Sequence, residues 1–425
     1  MKALLARAMQ SSFLKSLTVL TGGTIIAQII PFIVLPVLSR LYAPDTFALL
    51  GLMLMGAYFT ASLSTWNLDQ AIVLAPNIQR ARGIATLTAL SALLFAVVYE
   101  LVLLACFMPL ANRFSLGAAA PWMFVVPLNL FAASFASIAN YWLLRQGKPA
   151  LQSSIKLAHA LINAVLSCVL GWMALRYGLL LAFALAVISS AMWGLWACWR
   201  YELRFISLHH WRYLLNLLAA YRDFPLFGAI PTALNNLAVM VPLMIIAASY
   251  PLTTTGHFSV TRNLLSGGLI LVALCVSQVM LKHLQERMGA GQPLWPFFRL
   301  VLAGLVGLGV SGGLALYVLG PLIFSIYLGN QWADSGNILR ILAVSLPFVL
   351  TGASLASTLV AIDRLRLMAL WQGFYLAAST ALILFTDLPF EAFLWRLVAM
   401  ECAVYAVYTG LIIWQIRLHD HKLST

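Results

Sequence analysis

The stretch TGHFSVTRNLLSGGLILVAL, residues 255–274, decides the class of this protein. As a helix it is long enough to cross most of the roughly 30 Å hydrocarbon core of a bilayer, yet it contains an arginine, Arg262, near its start. The rest of the chain is similar, since 63% of its 425 residues are hydrophobic and only 9% are charged. An ordinary soluble domain has about 25% charged residues. The composition therefore predicts a protein that crosses a membrane several times.

Apolar windows of spanning length recur twelve times along the chain. They lie at roughly 17–38, 46–66, 83–109, 119–143, 155–175, 178–199, 224–248, 254–281, 296–319, 338–361, 367–386 and 390–416. This pattern predicts an all-α membrane protein with twelve transmembrane helices in two six-helix lobes, residues 1–199 and 224–425. The segment between them, residues 200–223, is predicted to be a cytoplasmic amphipathic linker, because Trp211, Leu214 and Leu218 recur at helical spacing among basic residues.

The distribution of lysine and arginine predicts the orientation. If the N-terminus is cytoplasmic, nineteen of the twenty-five Lys and Arg residues fall in cytoplasmic segments. Four fall outside, and they are Arg40, Arg113, Arg176 and Arg340. The positive-inside rule then predicts that both termini are cytoplasmic.

Several functional classes are disfavoured by the same sequence. The net charge of +13 comes from basic residues that are scattered singly, without the cluster expected of a nucleic-acid-binding protein. The five cysteines stand alone in apolar segments, which argues against disulfides and metal sites. We find no G-x-S-x-G, H-E-x-x-H, P-loop or G-x-G-x-x-G motif in a suitable context, so an enzyme is not predicted.

Polar residues form stripes at helical spacing on several predicted spans. An ionisable side chain at the centre of a membrane helix costs roughly 2.5–3.5 kcal/mol, so the stripes that contain one are expected to face a cavity. These stripes lie on the second, fifth and eighth spans, and a neutral one lies on the first. Their residues are Tyr58, Ser62, Thr65 and Asp69; Lys156, His159, Asn163 and Ser167; Thr255, Ser259, Arg262 and Ser266; and Thr21, Thr24 and Gln28.

The charged positions leave alternatives open. Arg262 lies about eight residues, or roughly 12 Å, inside its span, too deep for easy snorkelling. It could bind a mobile anion or pair with a fixed acid, for which Glu100 has a suitable depth. Asp69 and Lys156 could be solvated at the interface, and His159 could be a packing residue. Arg396 and Glu401 are five residues apart, so they point to different faces and are not expected to pair.

Five motifs resemble those of the polysaccharide-repeat-unit flippases, the bacterial O-antigen and exopolysaccharide exporters of the MATE-like superfamily. They are GGTIIAQIIPFIVLPVLSRLYAPDTFALLGL (22–52), DQAIVLAP (69–76), WLLRQGKPALQSSIKLAHALINAVLSCVLG (142–171), YRDFPLFGAIPTALNNLAVMVPLMII (221–246) and SYPLTTTGHFSVTRNLLSGGLILVALCVSQVMLKHLQE (249–286). The resemblance implies two lobes around a central cavity. It also implies a basic residue at the position of Arg262. Where the family commonly has arginine, an aromatic residue and glutamate, this chain has Asn67, Leu68 and Asp69.

The resemblance further implies transport of an oligosaccharide linked to undecaprenyl pyrophosphate across the bacterial inner membrane, as in lipopolysaccharide assembly. Alternating access driven by a proton or sodium gradient is expected, with no bound cofactor. Expected partners are membrane lipid, a polysaccharide polymerase and other assembly proteins. The expected substrate-binding residues are Arg262, Lys156, His159, Asn163, Ser259 and Gln28, and the expected ion-coupling residues are Asp69, Glu100 and Glu401.

Two other functions are compatible with twelve spans. A MATE-type antiporter of cationic drugs should have an acidic cavity, whereas two arginines lie within the spans here, and drug-resistance assays would separate it from a flippase. A membrane scaffold for glycan assembly should tolerate loss of the charges in its spans.

Overall fold

The structure, a computed structural model, describes the backbone of residues 2–114 and 116–424. Side chains are described for the same ranges except residues 2–21, 208, 227, 278, 365 and 422–424. All regular elements in the described ranges are helical. By contacts between its residues, the chain divides into two compact units, Met1–Asn236 and Leu237–Thr425. The predicted lobes and the linker, with boundaries at 199 and 224, stay a prediction.

In the described ranges, the first unit contains eight α-helices and the start of a ninth. They are α1 (Lys2–Leu41), α2 (Pro44–Thr65), α3 (Leu68–Leu74), α4 (Ile78–Arg113), α5 (Val125–Arg145), α6 (Pro149–Trp172), α7 (Gly178–Arg200), α8 (Trp211–Ala220) and α9 (Ile230–Ser249), with a π-helical turn at Phe224–Ala229. In the part of it that the structure describes, the second unit contains the remainder of α9 and six further α-helices. They are α10 (Leu252–Gly289), α11 (Trp295–Leu328), α12 (Ala333–Leu342), α13 (Leu346–Ala361), α14 (Leu365–Ala381) and α15 (Phe390–Ser424).

Twelve helical stretches in the described ranges are long and apolar enough to cross a membrane, and each overlaps one predicted window. The predicted all-α architecture with twelve transmembrane helices is therefore confirmed. Many large apolar residues on these helices are exposed, which is the pattern of a protein surrounded by lipid.

Close helix contacts in the first unit depend on small residues. Helix α6 packs between α1 and α7, and the Tyr42 hydroxyl donates a hydrogen bond to the Ser167 carbonyl at 2.8 Å. A Cβ atom on Gly178 would lie 2.6 Å from the Tyr42 hydroxyl oxygen, so this position needs glycine. Helix α8 buries Leu214 and Leu217 and leaves Trp211 exposed.

The second unit has the same kind of packing. Helix α11 lies against the start of α13, where a Cβ atom on Gly309 would be 2.6 Å from the Cα atom of Pro347. Around them, α10, α13, α14 and α15 share a core that includes Trp371, Tyr405 and Tyr408. This core includes residues from the second half of α10, the helix that carries Arg262 in its first half.

Candidate functional site

Arg262 of α10 forms an ion pair with Glu401 of α15. The Arg262 Nη2 atom lies 2.5 Å from Glu401 Oε1, and the Ser345 hydroxyl donates to Glu401 Oε2 at 3.0 Å. The Glu401 side chain is fully buried, whereas 19% of the Arg262 side chain is exposed. Both carboxylate oxygens therefore have a donor, which is how a buried charge is normally stabilised.

The sequence left open whether Arg262 binds a mobile anion or pairs with a fixed acid such as Glu100, and in the structure the acid beside it is Glu401. Glu100 is half-buried on α4 in the first unit, and the guanidinium of Arg262 is held by Glu401 of its own unit. Predicted depth in the membrane does not distinguish Glu100 from Glu401 as the partner of Arg262. Arg262 is ten residues from the start of α10 and Glu401 is eleven from the start of α15, roughly 15 and 16 Å along helices with a 1.5 Å rise. The similar positions of Arg262 and Glu401 along their helices could have indicated the pair from the sequence. The packing of α10 against α15 determines that Glu401 is the partner.

Buried polar side chains lie beside this pair on α14. Tyr375 is fully buried and interacts electrostatically with both Arg262 and Glu401. Its ring centroid lies 5.7 Å from that of Tyr405. Gln372 and Ser379 are on the same face, and within the described residues Gln372 Oε1 and Ser379 Oγ have no hydrogen-bond partner. The surroundings of the ion pair are therefore polar as well as aromatic.

The predicted polar face of the fifth span exists on α6 and meets α1 in the first unit. Lys156 Nζ donates to Thr24 Oγ1 at 3.3 Å. One and two turns further along α6, His159 Nδ1 and Asn163 Oδ1 are buried and have no partner within the part of the chain that the structure describes. Gln28, one turn from Thr24 on α1, is half-buried. The Thr21 side chain, also predicted on this face, lies outside the described residues.

Asp69 was predicted to lie on the same helix face as Tyr58, Ser62 and Thr65. This prediction is wrong for Asp69, which is not part of that helix. Helix α2 ends at Thr65, and Trp66 and Asn67 both adopt left-handed backbone conformations, with φ of 52° and 53°. Asparagine tolerates this conformation better than most residues, whereas tryptophan is strained in it. The chain turns here, and Asp69 belongs to the separate short helix α3.

Asp69 is buried rather than solvated at an interface, with 6% of its surface exposed. The hydroxyl of Ser137 donates a hydrogen bond to Asp69 Oδ2. Burial raises the pKa of the Asp69 carboxyl above its ordinary value, although the bond from Ser137 acts in the opposite direction. No lysine or arginine lies within ion-pair distance of Asp69 in the described ranges.

Helix α5 holds α3 at both ends, a relationship that the sequence reasoning missed. Ser137 binds Asp69 near the start of α3, and Arg145 binds the other end. Arg145 Nη1 donates to the carbonyl oxygens of Ile72 at 3.2 Å, Val73 at 3.3 Å and Ala75 at 2.5 Å. A cation at a helix C-terminus satisfies carbonyls that have no helical partner. In the sequence, Arg145 is only one more cytoplasmic charge.

Two other predicted positions have distinct surroundings. Ser259 lies one turn before Arg262 on α10 and is 3% exposed. Arg396 is exposed on α15, and its guanidinium carbon lies 5.4 Å from the Phe385 ring centroid. Within the described side chains, no three His, Cys, Asp or Glu residues are grouped as metal ligands.

Solved structures share this fold. The inward-facing structure of a multidrug resistance MATE family transporter of the MOP superfamily matches with a TM-score of 0.73 and 14% identity over 92% of this chain and 95% of that one. A MOP superfamily transporter from Pyrococcus furiosus, described as having a binding pocket of reverse polarity, matches with a TM-score of 0.65 and 15% identity over 97% and 96%. The protein thus has the fold of MOP superfamily transporters.

Sequence comparison assigns the chain to a family. The family described as "Polysaccharide biosynthesis protein" matches residues 37–337, about 70% of the chain. The chain belongs to this family. No curated protein matches the sequence significantly. The chain is therefore a multi-pass membrane protein of a polysaccharide biosynthesis family, with the fold of MOP superfamily transporters.

Proposed function

We propose that the chain is a flippase for an oligosaccharide repeat unit linked to undecaprenyl pyrophosphate, acting in the bacterial inner membrane by alternating access. Membership of a polysaccharide biosynthesis family and the transporter fold support this proposal. The observation that carries it concerns Arg262. Glu401 holds its guanidinium through one nitrogen, and the other N–H donors remain available to a substrate.

A guanidinium has five N–H donors, and Glu401 engages only Nη2 of Arg262. Within the described residues, Nη1 and Nε of Arg262 have no partner, and 19% of the side chain is exposed. The buried side of the guanidinium is therefore anchored while other donors remain available. Such a group suits a phosphate, which accepts charge-assisted hydrogen bonds from arginine, often two at a time. In this proposal Glu401 orients Arg262 and does not compete with the substrate.

The α1–α6 face supplies a second set of groups, from the first unit. Lys156 is a point charge that suits phosphate, and His159, Asn163 and Gln28 offer donors and acceptors to sugar hydroxyls. The buried nitrogen of His159 and the buried oxygen of Asn163 lack protein partners in the described ranges, so a hydroxyl would complete them. Ser259 is 3% exposed and could reach a substrate only if α10 moves.

For ion coupling we propose Asp69 ahead of Glu100 and Glu401. Asp69 is buried, has no cation beside it in the described ranges, and has a raised carboxyl pKa. Taking up a proton would remove its uncompensated charge. Glu401 is already matched by Arg262, and Glu100 is half-buried. A proton is therefore the favoured coupling ion over sodium.

The test uses a strain without the chromosomal gene and measures surface polysaccharide together with the amount of membrane protein. Arg262→Ala alone would leave the buried Glu401 uncompensated, so the informative variant is Arg262→Gln combined with Glu401→Gln. We expect this neutral pair to fold and to lose surface polysaccharide, Arg262→Lys to retain part of it, and Glu401→Gln to retain more than the double variant. Normal polysaccharide from the folded double variant would contradict the role of Arg262.

The same strain separates the flippase from a drug antiporter. A flippase predicts loss of surface polysaccharide with unchanged resistance to cationic drugs. Unchanged polysaccharide with increased drug sensitivity on deletion would identify the antiporter instead.

A further inference from the structure

The second unit contains a cavity of about 600 Å³ to which neither Arg262 nor Glu401 contributes. It lies along α12 and among the first turns of α15, next to the start of α10 and to Tyr317 of α11. We call it the α12–α15 pocket. Its volume is within the range of roughly 300–1,000 Å³ that small-molecule sites occupy.

Three polar side chains in this pocket are open to a ligand. Asp334 and Asn337 lie one turn apart on α12, and Glu391 lies in the first turn of α15. All three are exposed, and in the described part of the chain none makes a side-chain hydrogen bond or an ion pair. Two carboxylates and an amide offer several acceptors and two N–H donors. This set suits a ligand rich in hydroxyl groups.

Arg340 adds donors to the same pocket. Its guanidinium carbon lies 4.6 Å from the Tyr317 ring centroid, so the side chain is stacked rather than bonded to an acid. Stacking holds the plane of a guanidinium while leaving its N–H groups available. The pocket therefore has hydrogen-bond donors as well as acceptors.

Trp395 supplies an apolar surface beside these groups. It lies one turn after Glu391 on α15, and 42% of its surface is exposed. An indole face next to carboxylates matches a ligand with an apolar face and a polar edge. A sugar ring has both, because its C–H bonds form flat faces and its hydroxyls project around the edge.

Other ligand classes fit less well. The exposed charges of Asp334, Arg340 and Glu391 disfavour a lipid chain, since charges facing hydrocarbon are costly. No three metal-ligating side chains are grouped in the described residues, which disfavours a divalent cation. The guanidinium of Arg340 repels an organic cation and offsets part of its attraction to the carboxylates, and the two carboxylates repel an acidic sugar. An uncharged sugar avoids both repulsions.

We propose that the α12–α15 pocket binds an uncharged sugar ring of the transported glycan, with Trp395 against the ring face and Glu391, Asp334 and Asn337 on its hydroxyls. The orientation predicted by the positive-inside rule places Arg340, and hence α12, outside the cytoplasm. The pocket would then receive the glycan after it crosses the membrane. This inference rests on the proposed flippase function.

The test measures sugar binding to the purified full-length protein in detergent by calorimetry and by saturation-transfer NMR. Uncharged probes are N,N′-diacetylchitobiose, maltotriose and a galactan trisaccharide, with trigalacturonate as the acidic probe and tetraphenylphosphonium as the organic cation. We expect saturable binding of at least one uncharged probe, with a Kd of about 1 mM or below. Trp395→Ala and Glu391→Gln should each weaken it about tenfold, or 1.4 kcal/mol.

Trp414→Ala is the matched control, because Trp414 is on the same helix, is 55% exposed and does not line the pocket. It should leave binding unchanged. Failure of all three uncharged probes, binding of only the acidic or cationic probe, or full binding by Trp395→Ala would overturn the proposal.

Export assays keep the two proposals separate. If the wild type binds a sugar through Trp395 but deletion of the gene leaves surface polysaccharide intact, the pocket stands and the flippase function fails. If the neutral double variant at Arg262 and Glu401 loses polysaccharide while no probe binds the wild type, the proposed sugar site is contradicted and the flippase function is not.

Discussion

The guanidinium of Arg262 and the carboxylate of Glu401 are 2.5 Å apart, with the acid fully buried and the base partly exposed. The two residues are 139 positions apart in the chain and belong to different helices, α10 and α15. The buried member depends on the exposed one for its charge balance. The pair is therefore asymmetric, and the effects of mutating its two members should differ.

Removing the base alone should destabilise the protein more than neutralising both partners. Arg262→Ala leaves an uncompensated buried carboxylate, which costs about 3–5 kcal/mol. Arg262→Gln with Glu401→Gln leaves two neutral groups and should cost less. Thermal unfolding in detergent, followed by fluorescence-detected size-exclusion chromatography, measures the difference. Equal losses in the two variants would show that the charge of Glu401 is compensated by another group.

Asp69→Asn should change the pH dependence of stability. Because burial raises the pKa of Asp69, the folded state favours the protonated acid, and the stability from this group is present at low pH and lost as pH rises through the raised pKa. Asp69→Asn should thus gain stability relative to wild type as the pH rises above about 4, the ordinary pKa of an aspartate. Melting temperature as a function of pH measures the effect, with exposed Asp223→Asn as the control. Parallel profiles for wild type and Asp69→Asn would refute the uncompensated burial of Asp69.

Arg145→Gln should loosen α3. The variant loses charge-assisted bonds to three carbonyl oxygens at the end of this helix, and one such bond contributes about 1.5–3 kcal/mol. Hydrogen exchange of residues 68–74 should increase and the melting temperature should fall, with Arg145→Lys in between. The control is Arg204→Gln, because Arg204 is exposed. Unchanged exchange in residues 68–74 would mean that Ser137 is sufficient to hold the helix.

Two glycines on α11 should respond oppositely to alanine. A Cβ atom on Gly309 would lie 2.6 Å from the Cα atom of Pro347, and this backbone cannot move cheaply. Overpacking of this kind costs about 1–3 kcal/mol. A Cβ atom on Gly304 meets nothing within 4 Å, so Gly304→Ala should gain about 0.5–1 kcal/mol from helix propensity. Melting temperatures of the two variants in the same detergent test this, and a loss of stability in Gly304→Ala would refute the open surroundings of that position.

The spans were predictable because they depend on local composition. Each residue in a membrane helix satisfies its backbone hydrogen bonds within the same segment, so hydropathy over about twenty residues decides whether it crosses. All twelve windows, including the one with Arg262, overlap helices of the structure. The α6 face of Lys156, His159 and Asn163 was predictable for the same reason, since helical spacing alone places these residues together.

Periodicity failed where the helix stopped. The spacing from Tyr58 to Asp69 fits one helical face, but the left-handed residues Trp66 and Asn67 separate α2 from α3 and carry Asp69 to Ser137. The short helix after such a break needs contacts that hold it in place, and Arg145 of α5 supplies three of them at its far end, from 70 to 73 residues away.

By itself, the sequence determined the all-helical membrane architecture, the number of spans and the depth of Arg262, because each follows from the order of residues along one helix. Only the tertiary structure decided which acid holds Arg262, where Asp69 lies, and that Asp334, Asn337, Glu391 and Trp395 line one cavity. These relationships join helices that are distant in the chain. Several partners have the same depth and chemistry, and side-chain packing between helices selects one of them.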